Sequence, residues 1–240
     1  MSELRVISLV PSATETLLAW GVRPVAVSRF CEQPGFATVG GTKDPHIGEI
    51  IALRPDVVVM CDQENRIEDA SALTDAGIAV HAISITAVDH VGPQMSALAR
   101  AVGADRAPLC GLSSRSVPSA GDRQYRVRAW IPIWKRPWMT INGDTYGSTL
   151  LDRIGVRNIA TDHPDRYPEI SLEDAAAERP DVVLAPSEPY PFAERHVAQL
   201  SAVAPVVLVD GQDLFWWGAR TAAAAERLSA ALQHLGMPPG

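Results

Sequence analysis

"ALRPDVVVM", residues 52–60, and "AERPDVVLA", residues 177–185, write Arg-Pro-Asp-Val-Val once in each half of the chain. Each reads as a helix stopped at its arginine, a proline that cannot continue it, and a buried β-branched strand. A second pair of marks stands upstream in the same order. "TLLAWGVRPVAV" begins at Thr16 and "TLLDRIGVRNIA" at Thr149, each a helix end followed by Gly-Val-Arg and a short apolar run. From Gly21 to Gly155 is a step of 134 and from Arg54 to Arg179 a step of 125, so the first copy holds nine more residues between its marks. The stretch "FCEQPGFATVGG", from Phe30, is the place for them. Two marks in one order indicate an internal duplication. The unit is too long for a solenoid repeat and implies two similar lobes.

Working outward, apolar strands alternate with helices. "LRVISLV" is a strand closed by Pro11, and Ser12 with Glu15 stands in capping-box spacing before a helix with Gly21 as its C-cap. "PVAVS" follows as a strand, then "GEIIALRPDVVVM" as helix and strand, "EDASALTDAGIAVHAIS" as helix and strand, and "VDHVGPQMSALARAVG" as a helix. Continuous apolar strands separated by helices predict parallel sheet covered on both faces. The Ser-, Gly- and Pro-rich stretch "ADRAPLCGLSSRSVPSAGDRQ" breaks the pattern, with room only for a short helix over 105–116. Beyond it "YRVRAWIPIW", "GDTYGSTLLDRIGV", "RNIA", "SLEDAAAERPDVVLAP" and "FAERHVAQLSAVAPVVLVDG" resume the alternation, Ser171 and Asp174 form a second capping pair, and "WGARTAAAAERLSAALQHLG" closes the chain as a helix. The expected fold is α/β, two Rossmann-like lobes with parallel sheets joined by a shortened helical linker. The expected boundaries are an N-terminal lobe over 1–103, a linker over 104–122 and a C-terminal lobe over 123–240.

Composition narrows the function. With 240 residues, 47% hydrophobic and 20% charged, the chain is an ordinary globular one able to bury a large core. A net charge of −7 without a basic stripe excludes a nucleic-acid backbone as partner. No apolar run reaches the eighteen or so residues of a membrane span. The opening "MSELRVISLVPSATE" has no basic n-region or long h-region. Cys31, Cys61 and Cys110 are sparse and odd in number, as for reduced thiols. These features predict a cytoplasmic protein, or a periplasmic or extracellular one if an export signal has been trimmed away.

Ligands of open α/β sheets bind beyond the carboxyl ends of the strands, and two such lobes would grip one ligand in the cleft between them. The first lobe offers Ser12, Cys31, Thr42 and Glu64 in its loops. The second is rich in aromatics, namely Trp134, Trp138, Tyr146, Tyr167, Tyr190, Phe192, Phe215, Trp216 and Trp217. Of these Trp138, Tyr146, Tyr167, Tyr190 and Trp217 are assigned to the ligand, while Trp130 and Phe215 read as core. Glu64 and Glu188 occupy matching strand ends in "CDQEN" and "PSEPY". They read as acceptors for ligand amides or a cation, with acid–base work as the alternative. His46 and His163 stand in loops at comparable places and are candidate metal ligands, without the spacing of a structural zinc motif. GxSxG, Walker, HExxH and GxGxxG motifs are absent, so no catalytic residue is assigned.

"RVISLVPSATETLLAWGV", "VGG", "IIALRPDVVV" and "RYPEISLEDAAAERPDVVL" together resemble the class III substrate-binding proteins of ABC importers, the helical backbone metal receptors. The resemblance spans nearly the whole chain and implies a non-catalytic binder of cobalamin or a related corrinoid, haem, or a ferric siderophore. It places Phe30, Trp138 and Tyr167 where the family's ligand-facing aromatics stand. It also implies docking to an importer permease through one glutamate per lobe. Glu173 matches in the second lobe, whereas the first-lobe position holds Gly48, with Glu49 one place along and therefore turned by about 100°. The family's bridging helix is cut short around 108–118, which implies a different hinge or a homodimer contact there. The reading taken is intracellular binding of a corrinoid-like metal chelate. The alternatives are the exported component of a cobalamin or iron-chelate importer, and an enzyme on the same scaffold using the cleft carboxylates.

Overall fold

The computed structural model describes residues 4–31, 33–104 and 127–233. The expected linker from residue 105 onward, the short helix read over 105–116, Cys110 and Glu32 lie outside the described residues. The described chain divides into two compact units. One comprises 4–85, 89–104 and Trp217–Ala219, and the other Thr86–Val88, 127–216 and 220–233.

In the first unit the elements run β1 (Val6–Ser8), α1 (Pro11–Ala19), β2 (Ala26–Val27), β3 (Ala37–Thr38), α2 (Ile47–Ala52), β4 (Val57–Cys61), α3 (Ile67–Asp75), β5 (Ala79–Ile83) and α4 (Val88–Ala101), whose first residue belongs to the second unit. The second runs β6 (Val127–Trp130), β7 (Pro132–Trp134), β8 (Met139–Thr140), α5 (Tyr146–Arg153), β9 (Val156–Asn158), α6 (Leu172–Ala177), β10 (Val182–Pro186), α7 (Glu194–Leu200), β11 (Val206–Val209), α8 (Gly211–Phe215) and α9 (Thr221–Gln233). The α/β class with parallel sheets is as expected. One sheet has the order β3-β2-β1-β4-β5 and the other β11-β10-β6-β9, all pairings parallel.

The duplication read from the repeated pentapeptide is built into these sheets. Setting β1, β2, β4 and β5 against β6, β9, β10 and β11 gives one spatial order in both units. The edge strand β3 is extra, and it lies in the stretch to which the nine additional residues were assigned. The pentapeptide is a helix-to-strand junction. Arg54 and Arg179 stop α2 and α6 in the left-handed region, at φ 48 and 50, and the following proline prevents helical continuation. The aspartate then closes a two-way backbone pair with the first strand. Asp56 Oδ2 accepts from Arg5 N at 2.7 Å while Asp56 N donates to Arg5 O at 2.8 Å. Asp181 and Arg128 repeat this at 2.7 and 2.8 Å. The same two arginines donate to the spent helix ends, Arg5 Nη2 to Leu53 O at 2.7 Å and Arg128 Nη2 to Glu178 O at 2.9 Å. Because a non-glycine residue in this region is strained, Arg54→Gly and Arg179→Gly are each expected to stabilise the protein by up to about 1 kcal/mol. That corresponds to roughly 2–4 °C in the thermal midpoint. A fall in the midpoint for both variants would mean that the side chains contribute more than the strain costs.

Each sheet has its own core. Ile7, Leu9, Val58, Met60, Ile50 and Leu73 pack together in the first unit, and Trp130, Val183, Ala185, Phe192 and Leu200 in the second. Trp130 is fully buried, as its place in an apolar strand implies, whereas Phe215, read as core, is half-buried.

Three local readings change. Ser12 is not the cap of α1, because the cap lies two residues earlier, at Val10, with Pro11 in the first turn, where a missing N–H costs nothing. "IWKRPWM", read as loop, is the β7–β8 antiparallel hairpin, and "DGQDLFWWG" contains α8, capped by Asp210 accepting from Gln212 N at 2.9 Å. Ser171 does cap α6, accepting from Asp174 N at 3.0 Å and donating to Asp174 Oδ2 at 2.7 Å.

Candidate functional site

Strand order changes direction between β6 and β10 in the second unit and between β1 and β4 in the first. Loops leaving the carboxyl ends of those neighbouring strands diverge to opposite sides, which leaves a crevice in each sheet's rim.

In the second unit the loops after β6 and β10 bring five rings together. Trp138 stacks on Phe192 with centroids 6.1 Å apart and planes 7° apart. Tyr190 lies 4.7 Å from Phe192, and Trp134 meets Tyr190 edge-on at 5.6 Å. Trp130 supports Trp138 from the core at 5.9 Å. Trp134 is 44% exposed and Tyr190 and Trp138 are half-buried, so the cluster has a wet face on a packed base. His196 closes that base, edge-on to both Tyr190 and Phe192 at 5.5 Å. Its Nδ1 accepts from Ala193 N at 3.1 Å. Burial first, and then the charges of Arg195 and Lys135, hold its pKa below the ordinary imidazole value. Lys135 Nζ lies 5.7 Å from the centroid of Trp138.

Tyr167 is 46% exposed on a loop laced to the hairpin. Asn142 N donates to Arg166 O at 2.9 Å, Thr140 N to Pro168 O at 3.0 Å and Ile170 N to Trp138 O at 3.0 Å, so Tyr167 is fixed on the β8 side. Glu188 is half-buried after β10, its backbone packed against Gly211, where an added Cβ would approach Glu188 N to 2.6 Å.

Two assigned aromatics do not join this surface. Tyr146 is buried in the first turn of α5, shares a hydrogen bond with Thr221 Oγ1 at 3.0 Å, and burial pushes its phenol pKa up to about 12. Its polar sequence neighbours suggested a rim, but the first turn of α5 is buried throughout. Trp217 is 4% exposed and packs inside. Trp134, in contrast, was not singled out from the other loop rings. Its signal was the apolar alternation of "IPIW" before a Lys-Arg-Pro turn, a hairpin pattern.

In the first unit Phe30 is 49% exposed on a loop clamped by Arg29 and Asp44, whose two bonds are each 3.0 Å. Hydrogen bonding from Arg29 holds the Asp44 carboxyl below its ordinary range. Arg29 also sits 4.9 Å over the Phe30 ring. The Thr42 carbonyl accepts from Asn65 Nδ2 at 2.9 Å, and Lys43 Nζ donates to Gln63 O at 3.2 Å, tying this loop to the end of β4. Glu64 is half-buried in that β4 turn, its N–H on Cys61 O at 3.2 Å. Ser12 is 3% exposed, and its hydroxyl has no hydrogen-bond partner among the described residues. Cys31 is buried, with its sulfur 3.1 Å from Thr14 Oγ1 and 3.3 Å from Ser28 Oγ. Burial pushes the Cys31 thiol up and that of Cys61 to about 12, so both stay protonated at neutral pH.

The histidines proposed as metal ligands are used locally. His46 Nδ1 is 3.2 Å from Glu49 Oε2 across the first turn of α2, and His163 Nδ1 accepts from Asp165 N at 3.1 Å. Among the described residues no group of three His, Cys, Asp or Glu is placed to hold a metal ion. Glu173 is exposed in the first turn of α6. Its counterpart by register from the two N-caps, His46 and Ser171, is Gly48, while Glu49 is exposed and held by His46.

Comparison with known proteins bears on what these surfaces do. No protein-family model matches the chain. The vitamin B12-binding protein of Salmonella paratyphi A is 27% identical over 191 residues, covering 75% of this chain and 71% of that one. Among solved structures, the periplasmic vitamin B12 binding protein of Vibrio cholerae matches with a TM-score of 0.74 and 22% identity, over 97% of both chains. A periplasmic heme binding protein from Pseudomonas aeruginosa matches with a TM-score of 0.79 and 21% identity, over 100% of this chain and 95% of that one. The fold is thus that of periplasmic binding proteins, and the cytoplasmic placement expected above is contradicted by these relatives, which are named as periplasmic proteins. That expectation rested on the pattern of the opening residues and on few cysteines. Both described ones are free and buried, a placement that carries no information about compartment.

Proposed function

We propose that this chain, a class III ABC-importer substrate-binding protein by fold and sequence similarity, binds a planar metal chelate of the corrin or porphyrin kind and passes it unchanged to a membrane permease. The observation that carries the reading is the second unit's ring cluster, with half-exposed Trp134 and half-buried Tyr190 and Trp138 at the point where strand order reverses. A buried ring covers about 150–250 Å², which at about 25 cal/mol per Å² is a few kcal/mol each as an upper figure. Two such rings suffice for a micromolar affinity of about −8 kcal/mol after the ordering costs of binding. Tyr167 supplies further exposed ring surface in the same unit. Glu188, half-buried after β10 in the same unit, serves as an acceptor for ligand donors, and no turnover is assigned to it or to Glu64.

The likeness to proteins named for vitamin B12 and for heme supports the chelate class without choosing within it. Glu173 on α6 and Glu49 on α2 are the exposed acids assigned to permease docking. The test is titration of the purified protein with cyanocobalamin and haemin, followed by tryptophan fluorescence. Saturable quenching with a micromolar or lower Kd is expected for at least one, and recovery of the ligand chemically intact. Flat titrations with both would sink the reading.

A further inference from the structure

We infer that the ligand taken by the second unit's ring cluster carries ionised carboxylates on its periphery, and that Lys135, with Arg136 beside it, selects for them. This deepens the chelate-binding reading and presupposes it.

The turn of the β7–β8 hairpin places two adjacent cations between Trp134 and Trp138. Lys135 Nζ lies over the Trp138 ring, and its charge is felt at His196. Among the described residues neither Lys135 nor Arg136 is within ion-pair distance of a carboxylate. Three other arginines do meet acids, Arg29 with Asp44, Arg128 with Glu178 and Arg157 with Asp162. The chain has 28 acidic residues against 21 basic ones, and here two of the basic ones stand side by side at the ring cluster. Arg136 also holds φ 76, a left-handed conformation that glycine or asparagine would adopt at less cost.

The chemistry that answers both features is a flat ring system with acidic substituents. Its face would lie on Trp134 and Tyr190, and an edge carboxylate would accept from the Lys135 ammonium. A charge-assisted bond of this type is about twice as strong as a neutral one. An amide edge would take the ammonium out of water for a weaker bond in return.

A matched pair of corrins separates the classes, because cobyrinic acid carries carboxylates where cobinamide carries amides around the same ring and metal. Tryptophan quenching by the dicyano form of each should give wild-type protein a preference of roughly tenfold for the acid, the weight of one bond to a charged group. Raising salt should erode the acid's affinity and spare that of cobinamide. Lys135→Gln should remove most of the preference and Lys135→Arg should keep it. Equal affinities for the two corrins, with a ratio unmoved by salt or by Lys135→Gln, would overturn the carboxylate selection and leave the chelate reading standing. Quenching by neither corrin, nor by haemin, would overturn both.

Discussion

Trp134→Ala is expected to raise the Kd for the quenching chelate about thirtyfold, close to 2 kcal/mol, with the thermal midpoint nearly unchanged. Ring anchors at binding surfaces commonly cost 2 kcal/mol or more when truncated. Trp134 is the most open ring of the cluster, 44% exposed, and touches it only edge-on through Tyr190. The fold therefore has little to lose when it goes. Trp138 would make a poorer probe, since it stacks on Phe192 and leans on Trp130, so its removal mixes binding with stability. A Kd within threefold of wild type for Trp134→Ala would remove this cluster as the ligand's seat.

Asp213→Ala is expected to destabilise the protein by about 3 kcal/mol, read from urea denaturation. Asp213 is 3% exposed at the start of α8 and accepts from Arg227 on α9 at 2.6 and 2.7 Å and from Arg220 at 3.1 Å. Breaking one side of a buried ion pair costs 3–5 kcal/mol, because the remaining charge keeps its burial and loses its compensation. The low end applies here. The Arg227 side chain is 54% exposed and screened by water, so the cost falls mainly on Arg220, whose side chain is 14% exposed. Asp213→Asn should recover part of the loss by keeping two acceptor contacts. A change below about 1 kcal/mol for Asp213→Ala would show that the clamp between α8 and α9 is not a stability element.

Much of the fold could be read because its signals are local. The Arg-Pro-Asp junction, the glycines after α1 and α5 and the Ser171 cap each act within a few residues, so the sequence carries them whole. Even the extra edge strand β3 announced itself as a change in spacing between two repeated marks. The site was legible only by residue type. Tyr146 and Tyr190 have similar neighbours, a glycine or a proline and a charged residue close by. Tyr146 turns its ring into the buried face of α5, while Tyr190 reaches the wet rim after β10. Cys31 and His46 likewise had the chemistry of metal ligands, yet each is occupied by the side chains that packing put beside it.

The amino-acid sequence by itself determined that there are two α/β units, that they are copies, and where their helices and strands change over. Those outcomes depend on backbone preferences and hydrophobic period, which are properties of neighbouring residues. Tertiary structure alone decided which rings are exposed, which acids are already paired, and that Lys135 and Arg136 stand among aromatics with no carboxylate among the described residues to match them. These depend on groups far apart in the chain being brought within a few ångströms, and no local pattern encodes that distance.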